Sequence, residues 1–189
     1  MRIDGLLLEN FKGFEHREFS FHPEFNLIVG DNGMGKTSIL EALSIAAGSW
    51  FLGLRGYDTR HIRTEEVRLH GFIRDEMNSW EHQYPCVVEA RGSVLDEKKI
   101  KWKRTLNSPN GRTTYVDARS IKDLASKSDE DVRAGNPVTL PIISYYSTGR
   151  LWNIPREQAR IKSSERIRNK WGLSRLEAYR NSVDPRLSV

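Results

Sequence analysis

Eight consecutive residues, Gly30-Asp31-Asn32-Gly33-Met34-Gly35-Lys36-Thr37, follow the pattern G-x-x-x-x-G-K-[ST] without a mismatch. Each residue type has a chemical reason. Gly30, Gly33 and Gly35 let the backbone turn tightly, so that successive amide N–H groups can converge on phosphate oxygens. Lys36 brings a flexible ammonium to the β and γ phosphates and is the candidate catalytic residue; the Thr37 hydroxyl is a hard oxygen ligand suited to Mg²⁺. Asp31, Asn32, Met34 and Ser38 complete the expected binding loop. A helix opening at Lys36 would aim the positive end of its dipole at the same point. The pattern predicts a nucleoside triphosphate site.

Such a loop needs a strand before it and a helix after it, and the flanking residues supply candidates for both. Phe25–Val29 is a short apolar run rich in β-formers, stopped by Gly30. After Lys36, Ile39, Leu40, Leu43, Ile45 and Ala46 form a broad apolar helical face. Upstream, Arg2–Asn10 and Arg17–Phe21 read as strands, and residues 1–57 as a P-loop core. Trp50, Phe51, Leu52 and Leu54 are expected in the core.

Residues 58–137 read as an antiparallel β insertion of the same lobe. Val67–Ile73 is one candidate strand, and Cys86–Leu95 and Ile100–Leu106 form a hairpin around the charged turn Asp96-Glu97-Lys98-Lys99. A short helix over Ser120–Lys127 precedes Ser128-Asp129-Glu130-Asp131, expected as a solvated loop. Asp58 and Arg60 to Arg63 form a charged turn that faces either a nucleotide base or a partner subunit. Residues 138–189 hold a second apolar strand, Leu140–Tyr146, expected as a buried neighbour of Phe25–Val29, and then a basic, partly helical segment over Arg156–Lys170.

Composition narrows the class. With 189 residues, 38% hydrophobic and 29% charged, the chain suits one globular domain around one core. The single Cys86 excludes a disulfide framework within the chain and a multi-cysteine zinc site; it reads as a small apolar residue in a strand. His16, His22, His61, His70 and His82 show no metal-ligand spacing. The longest uncharged stretch, Ala42–Leu54, falls short of the roughly 18–20 residues of a spanning helix, so no membrane partner is expected. With an acid at Asp4 and only Leu6-Leu7-Leu8 as an apolar start, no signal peptide is read, and a cytoplasmic location is expected.

The net charge of +5 is unevenly spread: residues 150–189 carry ten basic and four acidic side chains, and the remainder is close to neutral. The Arg156–Arg180 zone is therefore expected either to meet DNA or RNA phosphates or to form a solvated or protein-contacting face.

Three segments together, Arg2–Phe14 with its Asn10-Phe11-Lys12-Gly13-Phe14 turn, Phe25–Val29, and the Gly-Asp-Asn-Gly-Met-Gly-Lys-Thr loop, resemble the N-terminal half of an SMC/RecF-type ATPase head. These are ABC-class P-loop ATPases. The resemblance implies an α/β fold, a P-loop NTPase core of the lobe I type with a mixed sheet, and ATP with Mg²⁺ as cofactors. It also implies that Lys12 lies near the nucleotide and that heads self-associate around sandwiched ATP. Ser144–Trp152 is similar to a branch of AAA-labelled ATPases that includes PtuA-like subunits of anti-phage systems and relatives of the OLD nucleases. That likeness implies DNA-associated defence with a partner nuclease gated by the ATP state.

Hydrolysis also requires a carboxylate for Mg²⁺ and a group that orients water. No apolar strand ending in Asp-Glu is found; Phe72-Ile73-Arg74-Asp75-Glu76 is interrupted by Arg74, and Glu89 is expected to face solvent. No Leu-Ser-Gly-Gly signature is found, and no Gln ends the Leu140–Tyr146 strand. In the resembled family a second lobe carries the missing motifs, so the expectation for this chain alone is ATP binding with little turnover. A non-catalytic nucleotide-binding docking module and a DNA repair or recombination head are the alternatives.

Overall fold

The computed structural model describes residues 1–74, 77–146 and 175–179. In chain order the regular elements are β1 (Arg2–Phe11), β2 (Phe14–Ser20), α1 (Lys36–Gly48), β3 (Leu69–Arg74), β4 (Met77–His82), β5 (Cys86–Val94), β6 (Glu97–Leu106) and α2 (Arg119–Arg133). Four strands form one sheet in the order β2-β1-β5-β6, and β3 pairs with β4 in a separate ribbon. Every ladder among the described residues is antiparallel, in an α/β fold.

The sheet places its apolar positions on one face because side chains alternate along a strand. Leu6, Ala90 and Trp102 stand in one cross-strand row, and Leu8, Val88 and Arg104 in the next. All six are essentially buried. Ile39, Ala42, Ile45 and Ala46 of α1 cover this face, and the Trp102 indole N–H donates to the Ala46 carbonyl at 2.9 Å. The small alanines let the sheet approach the helix closely. Trp50 and Phe51, in the 3₁₀ turn after α1, and Ile121 and Ala125 of α2 close the core. Gly53 lies so near α2 that a Cβ there would stand 2.3 Å from the Lys122 carbonyl oxygen.

Arg104 is the exception within the apolar face. Its guanidinium donates to the Thr114 carbonyl at 2.9 Å and the Thr59 hydroxyl at 3.2 Å, and burial pushes its pKa down to about 10. Cys86 is buried in β5, where desolvation pushes its thiol up to about 12.

Several local expectations change. β2 begins at Phe14 rather than Arg17, because the two-residue turn Lys12-Gly13 pairs Phe11 with Phe14 directly. β4 was not expected: it lacks an apolar alternation and is held by its ladder to β3. The expected Ser128–Asp131 loop is the last part of α2, and Asp129 is buried, accepting hydrogen bonds from Arg55 at 2.6 Å and Arg133 at 2.9 Å. Phe25–Val29 and Leu140–Tyr146 are not strands. No described strand pairs with either of them, and Phe25, Leu27, Val29 and Ile142 are 75%, 73%, 77% and 95% exposed. Arg60, expected in a charged turn facing a nucleotide base or a partner subunit, is buried against Glu66 at 2.5 Å. The Asp75-Glu76 pair and the Arg156–Lys170 segment lie outside the described residues.

Candidate nucleotide-binding site

The loop Gly30–Gly35 runs into α1 with Gly33 at φ 84° and Gly35 at φ 85°, both in the left-handed region. Gly35 is the residue that caps α1, and no side chain caps the helix or places an acid in its first turn. The amides of Lys36, Thr37 and Ser38 therefore have no intrahelical acceptor and face outward with the positive helix end. This is the arrangement an anion needs. Lys36 arcs back over the loop, its ammonium donating to the carbonyls of Gly30 and Asp31 at 2.7 Å each. The Met34 amide closes the turn on the Asp31 carbonyl at 3.4 Å.

Gly35 is required for a second reason. The Phe14 ring packs against it, and a Cβ at Gly35 would lie 2.6 Å from Phe14 Cζ. Phe14 is itself braced edge-on by Phe19, with ring centroids 5.6 Å apart. The β1–β2 turn thus rests on the phosphate loop.

Lys12, on the same turn, does not reach outward. It sits at φ 50°, its amide donates to the Glu66 carbonyl at 2.7 Å, and its ammonium pairs with Glu41 of α1. Glu66 is held by Arg60 and by the Arg63 amide at 2.9 Å. Tyr145 stands beside this cluster; burial first, then the charge of Glu41, push its phenol up, with Arg60 opposing. The structure therefore brings together Gly30–Ser38, Lys12, Glu41 and Phe14. Residues 147–152 of the Ser144–Trp152 likeness lie outside the described residues. Sequence reasoning passed over Glu41 and Phe14. The signals were present: Glu41 is one helical turn beyond Thr37, and Phe14 ends the turn that bears Lys12.

The phosphate-binding part of an ATP site fits these residues: glycines in left-handed conformations, an uncapped helix start and a lysine at the loop. For Mg²⁺ the loop supplies the Thr37 hydroxyl, and among the described residues no group of three or more His, Cys, Asp or Glu side chains is placed to hold a metal. No helix among the described residues is long and apolar enough to cross a membrane.

A family described as "AAA domain" matches residues 6–188. The DNA replication and repair protein RecF of Mannheimia succiniciproducens is 35% identical over 128 residues, which is 66% of this chain and 31% of that protein. RecF of Salmonella arizonae is 38% identical over 78 residues, covering 40% of this chain and 22% of its own. The chain thus spans about a third or less of the curated relatives it matches. A solved structure from work titled on ATP-driven dimerization and DNA-stimulated activation of SMC ATPases aligns at a TM-score of 0.40 and 23% identity, over 67% of this chain and 80% of that one.

Proposed function

The chain belongs to the AAA domain family, of the SMC/RecF-like P-loop type, and on that premise we propose that it is the ATP-binding lobe of such an ATPase head. The observation that carries the reading is the phosphate loop: Lys36 is folded onto the Gly30 and Asp31 carbonyls in front of an uncapped helix. Gly30–Ser38 would hold the triphosphate, Lys36 would counter its charge and Thr37 would be a Mg²⁺ ligand. Mg²⁺, when bound, neutralises phosphate charge. Titration calorimetry with MgATP tests this: the chain should bind, and Lys36→Ala should weaken binding at least about tenfold. Equal binding by both proteins would sink the proposal.

The exposed Phe25, Leu27, Val29 and Ile142 support the second half of the reading. Two apolar segments with which no described strand pairs suit a complementing lobe that adds strands and supplies a carboxylate for Mg²⁺. In this reading heads associate around ATP, and the relatives named for DNA replication and repair favour a DNA-associated role. Anti-phage defence with a gated nuclease is the narrower form, supported by the Ser144–Trp152 likeness. The docking-module alternative differs in one measurable respect: it predicts no ATP turnover once the complementing lobe is present.

A further inference from the structure

The β1–β2 turn touches the phosphate loop and its helix at two points, Phe14 on Gly35 and Lys12 on Glu41. Neither Glu41 nor this pairing belongs to the phosphate-loop pattern. Glu41 follows Thr37 by one turn, so the two share a face of α1. Helical side chains lean toward the N-terminus, which carries the Glu41 carboxylate over the turn that bears Thr37. The Lys12 backbone is fixed by its bond to Glu66 and by the hairpin turn, leaving its ammonium as the movable group. With Lys12 and Glu41 side chains 28% and 19% exposed, the pair is only partly shielded by solvent.

Resting on the nucleotide-binding reading, we infer that Glu41 is a positioning residue that parks the Lys12 ammonium beside the Thr37 turn. The triphosphate and Glu41 then compete for one cation. In the nucleotide-free protein Glu41 neutralises Lys12, which lessens its repulsion of Lys36. When phosphate arrives, the ammonium is shared with it, and the share depends on how strongly Glu41 holds on. Arg60 cannot substitute, because it is buried and paired with Glu66.

A double-mutant cycle on the full chain tests the competition, with MgATP affinity read by calorimetry and thermal midpoints read in parallel. Glu41→Gln frees Lys12 and should tighten binding about threefold, whereas Glu41→Asp should stay near wild type. Lys12→Ala should cost about twofold in the wild-type background and about sixfold in the Glu41→Gln background. A purely structural pair gives the opposite pattern, with Glu41→Gln weakening binding alongside a lower thermal midpoint, and that result overturns the inference. An equal Lys12→Ala effect in both backgrounds also overturns it. The Lys36→Ala control separates the failures. Binding that survives Lys36→Ala removes the nucleotide reading itself, and binding lost in Lys36→Ala but indifferent to Glu41 removes only the competition.

Discussion

Gly35 shows how one residue type can be demanded twice. Its φ of 85° costs an L side chain about 1–2 kcal/mol, and the Phe14 ring occupies the volume where a Cβ would go. Gly35→Ala must therefore shift either the loop or Phe14, and the uncapped amides at the start of α1 shift with them. The expected outcome is loss of about tenfold or more in MgATP affinity, with global stability lowered by only about 1–2 kcal/mol. Calorimetry with urea unfolding checks both numbers, and affinity within twofold of wild type would contradict the argument. Phe14→Ala relieves the crowding and leaves Gly35 in place. It should lower affinity by less than Gly35→Ala does, because the loop keeps its glycine conformation and loses only its brace.

At the scale of the element, α2 is held to the rest of the chain by a buried carboxylate. Asp129 is 1% exposed and accepts from Arg55 and Arg133, tying the helix end to the segment after α1. Burial alone would raise its pKa, but the two arginine hydrogen bonds and their charges prevail and hold it below the ordinary 3.8. A depressed folded-state pKa contributes stability that is present above the unfolded value and lost as pH falls through the folded one. Asp129→Asn should cost about 2 kcal/mol at neutral pH, less than a wholly buried pair because both guanidiniums reach solvent. Urea midpoints from pH 6 to pH 3 should show the gap between wild type and variant closing below about pH 4, and a constant gap would remove the charge argument. This element also shows where sequence reading stops. The turn conformation of Gly30–Gly35 and the start of α1 are legible because their signals are local: glycine spacing, a following lysine, an apolar helical period. The β5–β6 hairpin was legible for the same reason. The burial of Asp129 is not legible because its partner Arg55 is distant in sequence, and β4 is not legible because its pairing with β3, not its composition, makes it a strand.

On the scale of the whole molecule, Phe25–Val29 and Leu140–Tyr146 mark the limit of reading strands from composition. Both are apolar and β-forming, yet no described strand pairs with either, and a strand exists only where another backbone completes its ladder. The four-stranded sheet and its two helices form one core, with Ile28, Leu140 and Ile143 packed against it, partly buried, from these two segments. Their exposed side chains are therefore a cost carried on the surface, and an apolar patch of this kind favours association. Two consequences can be separated by experiment. Replacing Leu27 or Ile142 with Lys removes apolar surface but no packed contact, so thermal stability should stay within about 0.5 kcal/mol of wild type. Sedimentation velocity should meanwhile show less concentration-dependent self-association in both variants. Hydrogen exchange supplies the independent check: amides of residues 25–29 should exchange much faster than those of β5, which is bonded on both sides. Addition of a complementing lobe should slow exchange at 25–29 and leave β5 unchanged, because only the former would acquire new ladder partners. Slow exchange at 25–29 in the chain alone would mean that those amides are already paired, and the case for a complementing lobe would fall with it.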